Sequence, residues 1–279
     1  MIVDSHTHVV SGDERRYPMQ CTATDPADPS SWPLYARVTA AELAAEMSPC
    51  GVDRACLVQG FAAYRFDNRY TIAAAETDPT RFVSVCALDT RNPESPAQLE
   101  ALARNPRMRG LRLVSGFTEG DEGLGGPGAQ RLWDAADALG LVVVAFTLGG
   151  QLETFAAAAR AHSPHPVVLD HCGFIDVIAD FERLASLAPL ENVCLKVSSR
   201  VLVQNDPARI VRRLADHFGA GRLLWGSDYP ASHERSYREW VELARASTRE
   251  LSPDETGRFL GGTALQLWPE LDAPPSDGR

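Results

Sequence analysis

Asp4-Ser5-His6-Thr7-His8 falls in the first apolar stretch of the chain and carries residue types that hold metals or move protons. In a β-strand alternate residues share a face, about 7 Å apart per two-residue step. Asp4, His6 and His8 are therefore expected on one face, with Val3, Ser5, Thr7 and Val9 on the other. Two imidazoles and a carboxylate held rigidly together suit part of a metal site or a proton-handling site. An HxH triplet alone is weak evidence, because paired histidines also occur as surface or satisfied core residues. Its place at the start of a buried strand favours function.

A second chemical group is Asp228, in Trp225-Gly226-Ser227-Asp228-Tyr229-Pro230. This carboxylate follows an apolar run and precedes a proline that stops continuation. It suits a general base for water or a metal ligand, against the loop-capping role that Asp often takes at turns. Tyr229 beside it is a candidate substrate contact. His171 closes the run Pro166-Val167-Val168-Leu169-Asp170 and could ligate a metal or polarise a carbonyl. Arg112, between Leu111 and Leu113, and Lys196, between Leu195 and Val197, point inward if those neighbours face helices. A buried cation must be paired, by a substrate oxygen or by a structural carboxylate such as Asp4 or Asp228. Two inward cations suit an anionic or oxygen-rich substrate. His162 and His165 precede their strand and are assigned no function; His217 falls in a helix, and His233 is expected in solvent.

Short apolar runs are spaced so as to position these groups. Ile2–His8, Arg54–Gln59, Phe82–Leu88, Gly110–Val114, Leu141–Thr147, Pro166–His171, Val193–Ser198 and Leu223–Ser227 read as strands covered on both faces. Between them lie helical patterns at Ala40–Met47, Asn68–Thr77, Ala97–Ala103, Ala129–Leu139, Leu152–Ala161, Asp180–Leu187, Pro207–Phe218 and Glu234–Thr248. Strand–helix alternation implies right-handed crossovers and a parallel sheet. The repeat predicts a single-domain α/β fold, the (β/α)8 TIM barrel, over residues 1–271, with 272–279 a frayed tail. An open doubly wound sheet is the runner-up, but no Gly-rich nucleotide loop follows the first strand. In a closed barrel the first and eighth strands are neighbours, which brings His6 and His8 to Asp228. Two long connections, 9–38 and 115–128, follow strands and so belong to the end where barrels bind substrates. The first carries aromatic and basic residues suited to a lid over the pocket; the second reads as a surface loop.

Composition narrows the class. Net charge is −10, from 27 basic and 37 acidic residues, which argues against nucleic-acid or anionic-membrane partners. The six cysteines show no CxxC spacing, several lie in apolar runs, and the N-terminus lacks a signal-peptide pattern. Leu139–Gly150, the longest nearly apolar run, is too short to span a bilayer. A cytoplasmic enzyme acting on a small molecule is expected, and a homo-oligomer is compatible with it.

Assembled in this order, the chain resembles the amidohydrolase superfamily, in its amidohydrolase-related branch of lactonases and decarboxylases. Asp4-x-His6-x-His8, Val168-Leu169-Asp170-His171-Cys172-Gly173 and Leu195-Lys196-Val197-Ser198 carry the likeness. So do Trp225-Gly226-Ser227-Asp228-Tyr229-Pro230 and Phe259-Leu260-Gly261-Gly262-Thr263-Ala264. Binuclear members use a carboxylated lysine on strand 4 and histidines on strands 5 and 6. Here strand 4 offers Arg112 and Leu141–Gly150 holds no histidine, which counts against a two-metal centre and against decarboxylation. The resemblance implies a hydrolase that opens a sugar-acid or carboxylated lactone, with Asp228 as general base. His6, His8 and His171 would hold one divalent ion with Asp228, zinc by expectation, or polarise the carbonyl without metal, as some lactonases do. Arg112, Lys196 and Tyr229 would contact substrate. A decarboxylase or C–C hydrolase of the same superfamily and a non-catalytic ligand-binding barrel are the alternatives.

Overall fold

The structure is a computed structural model that describes residues 1–25, 27–115, 123–147 and 149–272. The apolar runs form β1 (Val3–Thr7), β2 (Arg54–Val58), β3 (Phe82–Ala87) and β4 (Met108–Val114). They continue as β5 (Val142–Phe146), β6 (Val167–Leu169), β7 (Val193–Ser198) and β8 (Leu223–Gly226). Each strand pairs in parallel with the next, in sequence order around the sheet. Closure comes from β1 meeting β8. Thr7 bridges Tyr229, the His8 N–H donates to the Tyr229 carbonyl at 2.8 Å, and the Asp228 N–H donates to the His6 carbonyl at 2.8 Å. The two ends of the chain thus share one rim, and the barrel is a single (β/α)8 unit.

Valines dominate the inward positions, Val58, Val83, Val85, Val144 and Val168 among them, as branched side chains suit a narrow barrel interior. The opposite faces of the strands pack against helices through residues such as Leu111, Leu113, Leu195 and Val197. That packing turns Arg112 and Lys196 inward. Trp268, fully buried, closes the N-terminal end of the barrel and donates its indole N–H to the Arg109 carbonyl at 3.2 Å. Asp272 ends the described chain there; 273–279, in the expected tail, lie outside the described residues, as do 116–122 of the second long connection.

The strand reading of β1 needs one correction. Asp4 pairs with Ala55 but Thr7 with Leu57, so three steps on β1 match two on β2 and a bulge lies between them. One extra residue inverts the alternation. Val3 joins the interior cluster, yet His6 and His8 also meet the site inside the barrel, and Asp4 turns outward. There Asp4 is fully buried against the helix Tyr237–Ser247. Its Oδ1 accepts from the N–H groups of His6 (3.1 Å) and Ser227 (2.9 Å), and its Oδ2 from the Tyr237 hydroxyl (3.2 Å). Burial pushes this carboxyl up to about 6 against those hydrogen bonds. Asp4 ties β1, β8 and that helix together rather than joining the imidazoles.

Candidate active site

The C-terminal rim of the barrel holds a cavity of about 630 Å³. His8, Arg112, His171, Arg200 and Asp228 line it. Trp32, Phe61, Phe146 and Phe174 supply aromatic walls. A larger groove of about 820 Å³ between outer helices contains none of the strand-end groups.

His171, Phe174 and Asp228, all on the cavity lining, occupy backbone regions that side chains rarely adopt. After β6 the chain turns left-handed through His171, Cys172, Gly173 and Phe174, with φ of 52°, 51°, 69° and 54°. Strand β6 therefore stops at Leu169, two residues earlier than its apolar pattern predicts. Asp228, just past β8, has φ 58°. Each such non-glycine residue is disfavoured by about 1–2 kcal/mol, and clustering of this kind marks sites where side-chain placement overrides local preference. Gly226 has a related role: a Cβ there would fall 2.6 Å from that of His6, so only glycine leaves room for the imidazole.

The inner group is compact. Asp228 Oδ1 lies 3.3 Å from His8 Nε2 and 3.6 Å from His6 Nε2, and the two imidazole nitrogens are 3.3 Å apart. His8 Nδ1 is 2.8 Å from the Val58 carbonyl, which can only accept, so this nitrogen carries the proton and Nε2 a lone pair. His6 Nδ1 faces Asp170 Oδ1 at 3.3 Å, which assigns the same tautomer to His6. Three acceptor atoms therefore converge, an arrangement that is repulsive unless a proton or metal ion lies between them. Their spacing matches the edge of roughly 3.4 Å that a tetrahedral site with arms near 2.1 Å requires. These residues fit one divalent ion.

The expected fourth ligand does not join this triad. His171 instead groups with His6 and Asp170, and its Nδ1 shares a 2.7 Å hydrogen bond with Ser198 Oγ. That second trio does not fit an ion. Asp170 Oδ1 is 2.8 Å from Lys196 Nζ, and Oδ2 accepts from Arg112 Nε at 3.0 Å, so cations occupy both oxygens. Burial pushes the Asp170 carboxyl up, but the Lys196 and Arg112 cations beside it hold it well below the usual carboxylate range.

Asp228 is treated differently. Its Oδ2 accepts from Arg200 Nε and, at 3.1 Å, from Ser232 Oγ, leaving Oδ1 to the imidazoles. Burial raises its pKa, and the opposing pull of its neighbours, in which Arg200 is the fixed cation, keeps it well below the ordinary value. Burial brings His171 down to about 4 and holds His6 well below the imidazole range, so both rings are neutral near pH 7.

Other expectations need correction. Lys196 is fully buried, paired with Asp170 at 2.8 Å, and is not among the residues that line the cavity. Tyr229 turns its ring against Tyr237, 5.3 Å between centroids, and lines a separate crevice with His233. Arg112 does border the cavity, although its Nε holds Asp170, its Nη1 donates to the Gln59 carbonyl at 3.2 Å and its guanidinium lies over Phe146. Of the aromatics in the first long connection only Trp32, stacked on His8 at 5.5 Å, reaches the pocket; Tyr17 and Arg16 line the outer groove. His162 sits between Asp137 and Gln130, far from the rim chemistry. Sequence reasoning missed Arg200 and Arg65 on the cavity lining and the ion pairs of Asp170. Arg200 lies two residues past Ser198 and Asp170 immediately before His171, so strand-end position was the available signal.

Comparison with known proteins agrees with this architecture. The family profile described as amidohydrolase matches residues 3–269. L-fucono-1,5-lactonase of Burkholderia ambifaria is 29% identical over 245 residues, covering 81% of this chain and 83% of the relative. A zinc-bound amidohydrolase crystal structure from Burkholderia multivorans superposes with a TM-score of 0.76 at 24% identity, covering 96% of this chain and 99% of the other. A probable 2-pyrone-4,6-dicarboxylic acid hydrolase from Acinetobacter baumannii, crystallised with citric acid, gives the same TM-score and coverage at 18% identity. At these identities the two structures speak to fold alone. Among the described residues no helix is long and apolar enough to cross a membrane.

Proposed function

From the premise that this chain belongs to the amidohydrolase family, as the match over residues 3–269 shows, we propose that it is a lactonase opening a sugar-acid or carboxylated cyclic ester. The observation that carries this reading is a carboxylate oxygen with no cation on it, Asp228 Oδ1, facing two imidazole lone pairs at a cavity floor. Similarity to a lactonase over most of the chain supports it.

Asp228 Oδ1 takes a proton from water as the water oxygen adds to the lactone carbonyl, and that proton then passes to the departing ring oxygen. Neutral His171, locked by Ser198, polarises the carbonyl oxygen. Arg200 fixes the Asp228 rotamer and keeps the carboxylate ionised. It also lowers the basicity of Asp228, so a substrate oxygen that shares Arg200 returns basicity when the pocket fills. Arg112 steadies substrate oxygens from the wall. A divalent ion, zinc in this reading, would be held by His6, His8 and Asp228 and would supply Lewis-acid polarisation together with a lowered pKa for water.

A panel of neutral and carboxylated lactones, scored by proton release beside a carbon dioxide assay, tests the reading. Acid release from at least one lactone, with no carbon dioxide, is the expected result. Carbon dioxide from an aromatic or enoic acid with every lactone left intact would replace it by decarboxylation.

A further inference from the structure

Resting on the lactonase reading, we propose that Arg65 is a specificity residue that binds a carboxylate on the substrate at the pocket mouth. Arg65 lines the same cavity as His8, His171 and Asp228 but takes part in none of the inner ion pairs. Its guanidinium donates to Thr22 Oγ1 at 3.0 Å and lies over the Phe61 ring, 5.1 Å from its centroid. Among the described residues it has no carboxylate partner. Arg112 and Arg200, by contrast, are each tied to an aspartate. The other acid on the described lining, Asp28, spends Oδ1 on Ser30 as the cap of a short turn of helix. A guanidinium half-desolvated against an aromatic face, beside a hydroxyl, is a ready carboxylate receptor.

The backbone beneath Arg65 is built to aim it. Arg65 has φ 51° and ψ −117°, a conformation that side-chain-bearing residues rarely adopt. Buried Gln59 holds it there. Its Nε2 donates to the carbonyls of Arg65 and Asp67, each at 3.0 Å, while its Oε1 accepts from Thr71 Oγ1 at 2.5 Å. The Arg65 N–H is spent on the Phe61 carbonyl at 3.0 Å. A fully buried glutamine dedicated to one strained turn makes sense if the direction of its side chain matters. Phe61, Phe146 and Phe174 meanwhile offer flat apolar walls. The combination suits a ring bearing a carboxylate over a polyhydroxylated neutral lactone.

The test uses a six-membered lactone carrying a ring carboxylate and its methyl ester, assayed with wild type, Arg65→Met, Arg65→Lys and Thr22→Val. Arg65→Met is expected to lower kcat/KM for the carboxylate substrate about 10- to 100-fold more than for the ester. Arg65→Lys should recover part of that ratio, and Thr22→Val should lower it by a smaller factor. Calorimetric binding of isophthalate, an inert flat dicarboxylate, gives a readout independent of turnover and should weaken at least tenfold in Arg65→Met. Unchanged charge preference with unchanged isophthalate affinity would overturn the proposal and leave Arg65 a clasp for the Thr22 segment, as would failure of wild type to bind isophthalate. Isophthalate binding that needs Arg65, in a protein that opens no lactone, would instead sink the lactonase reading and keep the anion site.

Discussion

Asp170 and Asp228 are both buried carboxylates beside His6, one strand end apart from β7 on either side, yet they are wired oppositely. Asp170 is saturated by Lys196 and Arg112, with His6 beside it. Asp228 gives one oxygen to Arg200 and Ser232 and keeps the other toward two imidazole lone pairs and the cavity. A carboxylate with a cation on each oxygen is a weak base and a poor metal ligand, which suits it to holding the barrel floor together. The one with an oxygen in reserve can do chemistry. Two acids of equal burial are therefore separated by where the cations sit.

Substitution can break this contrast at Asp170 first. Asp170→Asn leaves Lys196 buried with no counter-charge, and loss of one partner from a buried ion pair costs about 3–5 kcal/mol. Chemical denaturation should show a loss of that size; a loss under 1 kcal/mol would mean that Asp170 is not the counter-ion of the barrel floor. Smaller effects sharpen the comparison on the Asp228 side. Arg200→Gln should lower kcat/KM roughly tenfold while barely altering stability, because the arginine side chain is 36% exposed and water can replace it. An unchanged kcat/KM would remove Arg200 from the site. Smallest of all is Tyr229→Phe, expected within about twofold of wild type since the ring packs on Tyr237 outside the cavity. A tenfold rise in KM there would return Tyr229 to the substrate.

Much of this layout was legible from residue types and spacing. Continuous apolar runs alternating with helical patterns gave the barrel, and closure brought His6 and His8 to Asp228 although they are more than two hundred positions away. Inward Arg112 and Lys196 followed from their apolar neighbours on β4 and β7. What failed did so for physical reasons. A single-residue bulge moved Asp4 to the outer face, and strict alternation carries no sign of such an insertion. The sequence leaves Lys196 open to a substrate oxygen or a structural carboxylate, and does not reveal that the carboxylate is Asp170, on the neighbouring strand end. His171, expected among the metal ligands, lies outside the His6–His8–Asp228 trio, because the left-handed turn at 171–174 brings its Nδ1 to Ser198. Arg65 was invisible for a similar reason: its direction depends on a rare backbone conformation stabilised by a distant glutamine.

The central claim is that Asp228 Oδ1 activates water at the barrel rim. Turnover of a lactone by Asp228→Asn, measured beside its unfolding free energy, tests it most directly. The substitution keeps the shape and the amide oxygen but removes the base, so kcat should fall about 10³-fold with the fold's stability nearly unchanged. Turnover within tenfold of wild type in a stably folded variant would contradict the account.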